Sequence, residues 1–130
     1  MTKKILAEIS VGELLDKISI LEIKKKKITD KKKLIFINNE YRILNKVKKK
    51  IKLKKKINFF YKQLKKANQT LWNIENKIRM HEKSNNFDKN FISLARKVYK
   101  TNDIRSVMKL KINSLMGSNI VEMKSYSKYD

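Results

Sequence analysis

The chain is predicted to be mainly all-α: an antiparallel bundle of about five helices, one of them long, folded as a single domain over residues 1–130. Three observations carry this expectation. Apolar residues recur at spacings of three and four along most of the chain. No Pro and only two Gly, Gly12 and Gly117, interrupt the pattern. Capping residues stand just before several of the periodic stretches.

Taken in order, Ile5, Ala7 and Ile9 alternate with Leu6 and Glu8 as in a short strand. Ser10-Val11-Gly12-Glu13 has capping-box spacing, so a helix should start at Val11, with Leu14, Leu15, Ile18, Leu21 and Ile28 as its buried face. Asp30 can cap a second helix from Lys31 to about Lys50, whose Leu34, Ile37, Tyr41 and Leu44 share one side. A Lys-rich helical connection near 47–56 follows, where charge repulsion favours a bend. Ile57, Phe60, Leu64, Ala67, Leu71, Ile74 and Ile78 then mark the long helix. Ser84-Asn85-Asn86 stops it. Asp88 caps a fourth helix carrying Phe91, Leu94, Ala95 and Val98, and Thr101-Asn102-Asp103 marks a break before a fifth. That last helix carries Ile104, Val107, Met108, Ile112 and Leu115 and closes at Gly117 as a C-terminal cap. Residues 120–126 read as extended, so the two terminal segments can pair as a small two-strand ribbon.

Charge is the strongest compositional signal. Lys and Arg total 34 against 12 Asp and Glu, a formal charge of +22. Residues 24–56 hold fifteen Lys and Arg42 against Asp30 and Glu40, which is +14 of that total. Such a stretch attracts polyanions, and non-specific nucleic-acid binding through 24–56 is one functional reading. Against it, Lys outnumbers Arg thirty to four, whereas sequence-specific readers depend on the planar fork of Arg. Codon drift toward Lys, Ile and Asn explains the same composition.

With Arg so rare, Arg42, Arg79, Arg96 and Arg105 mark positions where a forked guanidinium is needed. Arg79, Arg96 and Arg105 lie near other polar residues and can converge on one anion. They can equally pair with buried carboxylates, for which Glu75, Glu82, Asp103 and Glu122 are available. On the long helix Asn68, Trp72, Glu75, Arg79 and Glu82 form a second stripe beside the apolar seam. It reads as an ion ladder between helices or as a ligand-facing stripe. A helix-turn-helix around Asn102 would present Arg105, Lys109 and Asn113, which are also ordinary exposed positions.

Familiar catalytic devices do not fit. The chain has no Cys, a single His81 without metal-site spacing and no Gly-rich phosphate loop, so no metal and no cofactor are expected. No catalytic motif is recognisable. No membrane span or signal peptide fits, and a cytoplasmic location is expected.

Several strings look familiar together. They are Ser10-Val11-Gly12-Glu13 through Asp16-Lys17-Ile18-Ser19-Ile20-Leu21-Glu22-Ile23-Lys24, Leu71-Trp72 through Ile78-Arg79, Phe91-Ile92 through Leu94-Ala95-Arg96, Tyr99, Asn102-Asp103, and Glu122-Met123-Lys124-Ser125-Tyr126. In order and spacing they resemble an uncharacterised bacterial family of short helical proteins, a domain of unknown function associated with genes for cell-surface polysaccharide synthesis. The segment Val47 to Lys56 departs from the resemblance.

The resemblance implies that Glu22, Trp72, Glu75, Arg79, Glu82, Arg96, Tyr99, Asn102, Asp103, Arg105, Glu122, Lys124 and Tyr126 line one pocket or interface. Its guest would be an anionic group such as a nucleotide-sugar diphosphate or an acidic sugar. The expected function is therefore an accessory or binding module with an Arg-containing pocket for an anionic small molecule or an acidic protein segment, linked to glycan assembly. Self-association as a homo-oligomer is a further possibility for the leftover helix faces.

Overall fold

The computed structural model describes residues 3–129 and consists of four helices: α1 (Val11–Lys27), α2 (Lys31–Lys49), α3 (Lys56–Lys83) and α4 (Lys89–Met116). The capping expectations hold at each tested end. Ser10 Oγ accepts from the Glu13 amide at 3.1 Å, Asp30 Oδ1 from Lys32 and Lys33, and Asp88 Oδ1 from Phe91. Gly117 ends α4 with φ 62°, a left-handed setting that suits Gly. Asn85 takes φ 52° in the turn between α3 and α4, where His81 Nδ1 lies 2.8 Å from the Asn86 carbonyl.

Four helices replace the expected five because α4 runs unbroken through Thr101-Asn102-Asp103. Thr, Asn and Asp are weak helix formers, each worse than Ala by roughly 0.5 kcal/mol, and none removes a backbone donor as Pro does. Packing of Thr101, which is buried, offsets that cost. A helix-turn-helix therefore has no turn to use. The terminal ribbon is also absent: among the described residues there is no strand. Ile5 and Leu6 are more than nine-tenths exposed, so the alternation there has no apolar partner to pack on. The two ends do meet, through Asn119 Nδ2 donating to Glu8 Oε2 at 3.2 Å.

The Lys-rich connection leaves the helix over residues 50–55, where the helical run expected at 47–56 gives way to a turn. Ile51 and Leu53 tuck inward against the core while the intervening lysines stay out. Repulsion among neighbouring ammonium groups and burial of alternate apolar residues act in the same direction here.

Helix α1 is the centre of the bundle. It packs against α2, α3 and α4, whereas α2 lies chiefly on α1, reaching α3 through Lys48 over the Tyr61 ring, and α3 pairs most extensively with α4. Leu14, Leu15 and Ile18 of α1 meet Ile57, Phe60 and Leu64 of α3 and Ile112 of α4 in the main core. Helices α3 and α4, each of 28 residues, are roughly 42 Å long and outreach the 17 residues of α1. Lys25 Nζ sits 4.0 Å above the Tyr41 ring and helps close α2 onto α1.

The first turn of α1 abuts the last turns of α4. Its otherwise unpaired amides are met there: Gly12 N–H donates to Asn113 Oδ1 at 2.7 Å and Val11 N–H to Ser118 Oγ at 3.1 Å. A Cβ at Gly12 would lie 2.7 Å from both Asn113 Oδ1 and the Lys109 carbonyl oxygen. The second of these is backbone and cannot swing away. Gly12→Ala is expected to lower unfolding free energy by about 1–3 kcal/mol despite the better helix propensity of Ala, read as a lower urea midpoint at unchanged m value.

Candidate functional site

The polar centre of the molecule is Asp16, 1% exposed on the buried face of α1. Arg105 from α4 reaches it with both edges of its fork: Nε donates to Oδ1 at 2.9 Å and Nη2 to Oδ2. From α3, Asn68 Nδ2 donates to Asp16 Oδ1 at 2.9 Å and to Ser19 Oγ at 2.8 Å. Ser19 in turn donates to the Asp16 carbonyl. Lys109 Nζ stands 4.0 Å from Asp16 Oδ2 and bonds Glu13 Oε2 at 2.7 Å and Glu122 Oε2 at 3.2 Å. Among the described residues no buried side-chain polar atom lacks a hydrogen-bond partner.

These contacts decide the charge states. Burial works to raise the Asp16 carboxyl, but the hydrogen bonds from Arg105 and Asn68 and the nearby positive charge of Arg105 and Lys109 outweigh it and hold it below its ordinary value. Burial likewise works against the Lys109 ammonium, and bonding to Glu13 and Glu122 overcomes it, so its affinity for the proton rises. The hydrogen bond to Asp16 raises Arg105 further. Glu122 is lowered by its hydrogen bond and charge contact with Lys109.

Two clefts open beside this network and share Val98, Asn102 and Arg105 in their walls. The larger, about 620 Å³, lies between α4 and the irregular segment after Gly117 and is lined by Tyr99, Asp103, Lys124, Tyr126, Ser127 and Tyr129 besides the shared residues. Tyr99 and Tyr129 pack edge to face with ring centres 5.2 Å apart, and Lys124 Nζ lies 5.8 Å from the Tyr126 ring centre. The smaller, about 310 Å³, runs between α1, α3 and α4 and adds Ile20, Ile23, Asn68, Leu71, Trp72 and Glu75.

Of the residues expected at a site, Trp72, Glu75, Tyr99, Asn102, Asp103, Arg105, Lys124 and Tyr126 therefore line one of two adjoining clefts. Glu122 sits next to them on Lys109 and Lys124. Glu22 lies apart, accepting from the Tyr61 hydroxyl and pairing with Lys65 at 3.5 Å. Arg79, Glu82 and Arg96 are exposed and line neither cleft. The gathering of Arg79, Arg96 and Arg105 around one anion is thus not what the fold builds. Arg79 is held at 2.9 Å by Glu75 one turn earlier on the same exposed face, and Arg105 alone enters the clefts. Its buried partner is Asp16, not any of Glu75, Glu82, Asp103 or Glu122.

Sequence reasoning passed over Asp16, Glu13 and Ser19 as site-forming residues and took Lys109 and Asn113 for ordinary exposed positions, whereas Asn113 is buried and Lys109 nearly so. One signal was available. Asp16 and Ser19 fall on the same face as Leu15 and Ile18, where an acid and a hydroxyl amid apolar neighbours demand partners from another helix. Among the described residues no group of three or more His, Asp and Glu side chains is placed to hold a metal ion. No helix among them is long and apolar enough to cross a membrane.

A family model for a family of unknown function, DUF6165, matches residues 5–129. The chain belongs to the DUF6165 family. The match takes in both clefts and every residue of the Asp16 network, so a DUF6165 domain here is the whole four-helix body with its C-terminal segment. Comparison with curated proteins and with solved structures finds no significant match.

Two outcomes follow from the network. Removing the fork in Arg105→Met leaves a buried carboxylate with its main counter-charge gone, and should cost about 3–5 kcal/mol in a urea titration at neutral pH. The pH dependence has a definite sign. The Asp16 carboxyl is lower folded than its ordinary 3.8, so its contribution is present above that value and is lost as pH falls through the folded one. Asp16→Asn should flatten that part of the acid limb of stability against pH, leaving the slope due to Glu122.

Proposed function

We propose that this DUF6165 chain is a binding module that seats a ring-bearing anionic small molecule in the larger cleft, with glycan precursors such as acidic sugars or nucleotide sugars as the ligand class. The observation that supports the reading is the placement of Arg105. Two of its five N–H donors are committed to Asp16, which clamps the guanidinium plane in the shared wall of both clefts. A fork held this way is pre-organised to give its outer N–H groups to a carboxylate or phosphate without first losing side-chain freedom. Tyr99 and Tyr126 supply ring faces and hydroxyls beside it, Lys124 a second positive charge, and Asn102 and Asp103 groups suited to sugar hydroxyls. Trp72 offers a further aromatic wall in the smaller cleft next door, so a ligand with two moieties can span both.

The charges around the cleft nearly cancel: Arg105, Lys109 and Lys124 stand against Asp16, Glu13, Glu122 and Asp103. Recognition there rests on directed hydrogen bonds and stacking more than on long-range attraction. Affinity should accordingly change little with salt, in contrast to nucleic-acid binding through the lysines of 24–56, which would fall steeply.

Titration calorimetry against a panel of nucleotide sugars, uronic acids and polyphosphates tests the reading. Tyr99→Ala and Lys124→Ala should each weaken the best ligand about tenfold, equivalent to about 1.4 kcal/mol. Arg79→Lys and Arg96→Lys, outside the clefts, should leave it unchanged. Absence of any ligand in the panel, or equal affinity in the cleft variants, would remove the proposal.

A further inference from the structure

Helix α2 has two apolar faces, and the fold uses one of them. Ile37, Tyr41 and Leu44 turn toward α1 and the core, while Ile35, Phe36, Ile43 and Val47 are 68, 76, 47 and 43% exposed. At 100° per residue these four fall within an arc of roughly 120° on the side away from α1. Helix α2 lies closest to α1 and sends Lys48 to the Tyr61 ring of α3, and both contacts are on the side opposite the exposed arc. An isolated exposed Leu or Ile is ordinary, but here two pairs of large apolar side chains, Ile35 with Phe36 and Ile43 with Val47, share one helix face on either side of the hydrogen-bonded Asn39 and Arg42.

The surroundings of the patch specify its occupant. Lys24, Lys26 and Lys27 close α1 near one end of this face and Lys31–Lys33 open α2 beside them; Lys46, Lys49 and Lys50 stand at the other end, while Lys25 and Lys48 turn inward over Tyr41 and Tyr61. The acids within 24–56 are Asp30, whose carboxylate caps α2, and Glu40. A second copy of this chain would bring the same +14 stretch against itself and be repelled. A nucleic acid would meet the lysines but gain nothing from Ile35 and Phe36, whose rings and branches would stay wet or face phosphates. An anionic lipid surface satisfies both features: ammonium groups lie at headgroup level on flexible stems, while the aliphatic and aromatic side chains between them enter the acyl boundary. Lys suits this role without Arg, because attraction to a diffuse negative surface needs no fork.

We infer that the outer face of α2 is a peripheral docking surface for an anionic bilayer, with Ile35 and Phe36 as the inserting residues and the flanking lysines as the electrostatic anchor. It lies apart from the tyrosine cleft and does not depend on what the cleft binds.

Co-sedimentation of the full chain with phosphatidylcholine vesicles, with and without phosphatidylglycerol, tests the inference. The chain should bind the mixed vesicles and not the neutral ones, and moderate salt should weaken binding without abolishing it. Ile35→Ser with Phe36→Ser should reduce binding by about tenfold or more, with helical circular dichroism unchanged because both side chains are exposed. Phe36→Trp should show a blue-shifted emission increment on the mixed vesicles, a readout that does not depend on the stability of the serine variant. No binding to the mixed vesicles, equal binding by the serine variant, or no emission shift in Phe36→Trp would overturn the inference. So would a dimer of the parent chain that the serine variant dissolves, or loss of duplex DNA binding by the same factor.

Discussion

A carboxylate buried in the middle of a small bundle has to be met in full, and Asp16 makes that demand of three helices at once. Arg105 answers from α4 and Asn68 from α3, while Ser19, on the same helix as the acid, takes the second proton of the Asn68 amide. Apolar layers such as Leu15, Leu64 and Ile112 tolerate small rotations because dispersion is not directional. A forked cation on a carboxylate does not. The rotational setting of α1 against its neighbours is therefore decided at one polar layer, and the aliphatic layers pack to suit it.

The same layer organises the surface next to it. Lys109 sits one turn beyond Arg105 on α4 and is stretched between Glu13 of α1 and Glu122 of the segment that follows α4. Through that link the segment after Gly117 lies along α4, bringing Lys124, Tyr126 and Tyr129 up to Tyr99 and Asp103 and completing the larger cleft. The cleft has one wall built on a rigid helix and another held by side-chain contacts. Such a division gives a site fixed chemistry on one side and adjustable fit on the other.

Much of the fold was readable in the chain because helix ends and apolar periodicity are local signals. Ser10, Asp30, Asp88 and Gly117 each act on backbone groups within a few residues, and each stands where its sequence context implied. The false break at Thr101-Asn102-Asp103 and the missing ribbon have opposite causes: packing of α4 overrides weak helix propensity, while the alternation around Ile5 finds no apolar surface to pack on. The site was legible only in part. Tyr99, Asn102, Asp103, Lys124 and Tyr126, which the resemblance grouped with eight others, line one cleft because the segment after Gly117 folds back beside α4. Arg105 was singled out by its rarity among lysines, but its partner Asp16 lies 89 residues away and no local rule connects them. Conversely, Arg79 and Arg96 look alike on paper and sit on exposed helix faces, since a three-four repeat says which residues share a side and not which side is covered.

The first turn of α1 receives its missing acceptors from Asn113 and Ser118, across separations of 101 and 107 residues. During synthesis the leading helix thus emerges from the ribosome long before the groups that seal its end exist. It must wait, held only by its own cap and by whatever hydrophobic contacts α2 and α3 provide, until Asn113 and Ser118 have been added. Locking of this body is a closing event in which the first turn of α1 zips onto the end of α4, and a chain stopped before Asn113 would leave the Val11 and Gly12 amides without their acceptors.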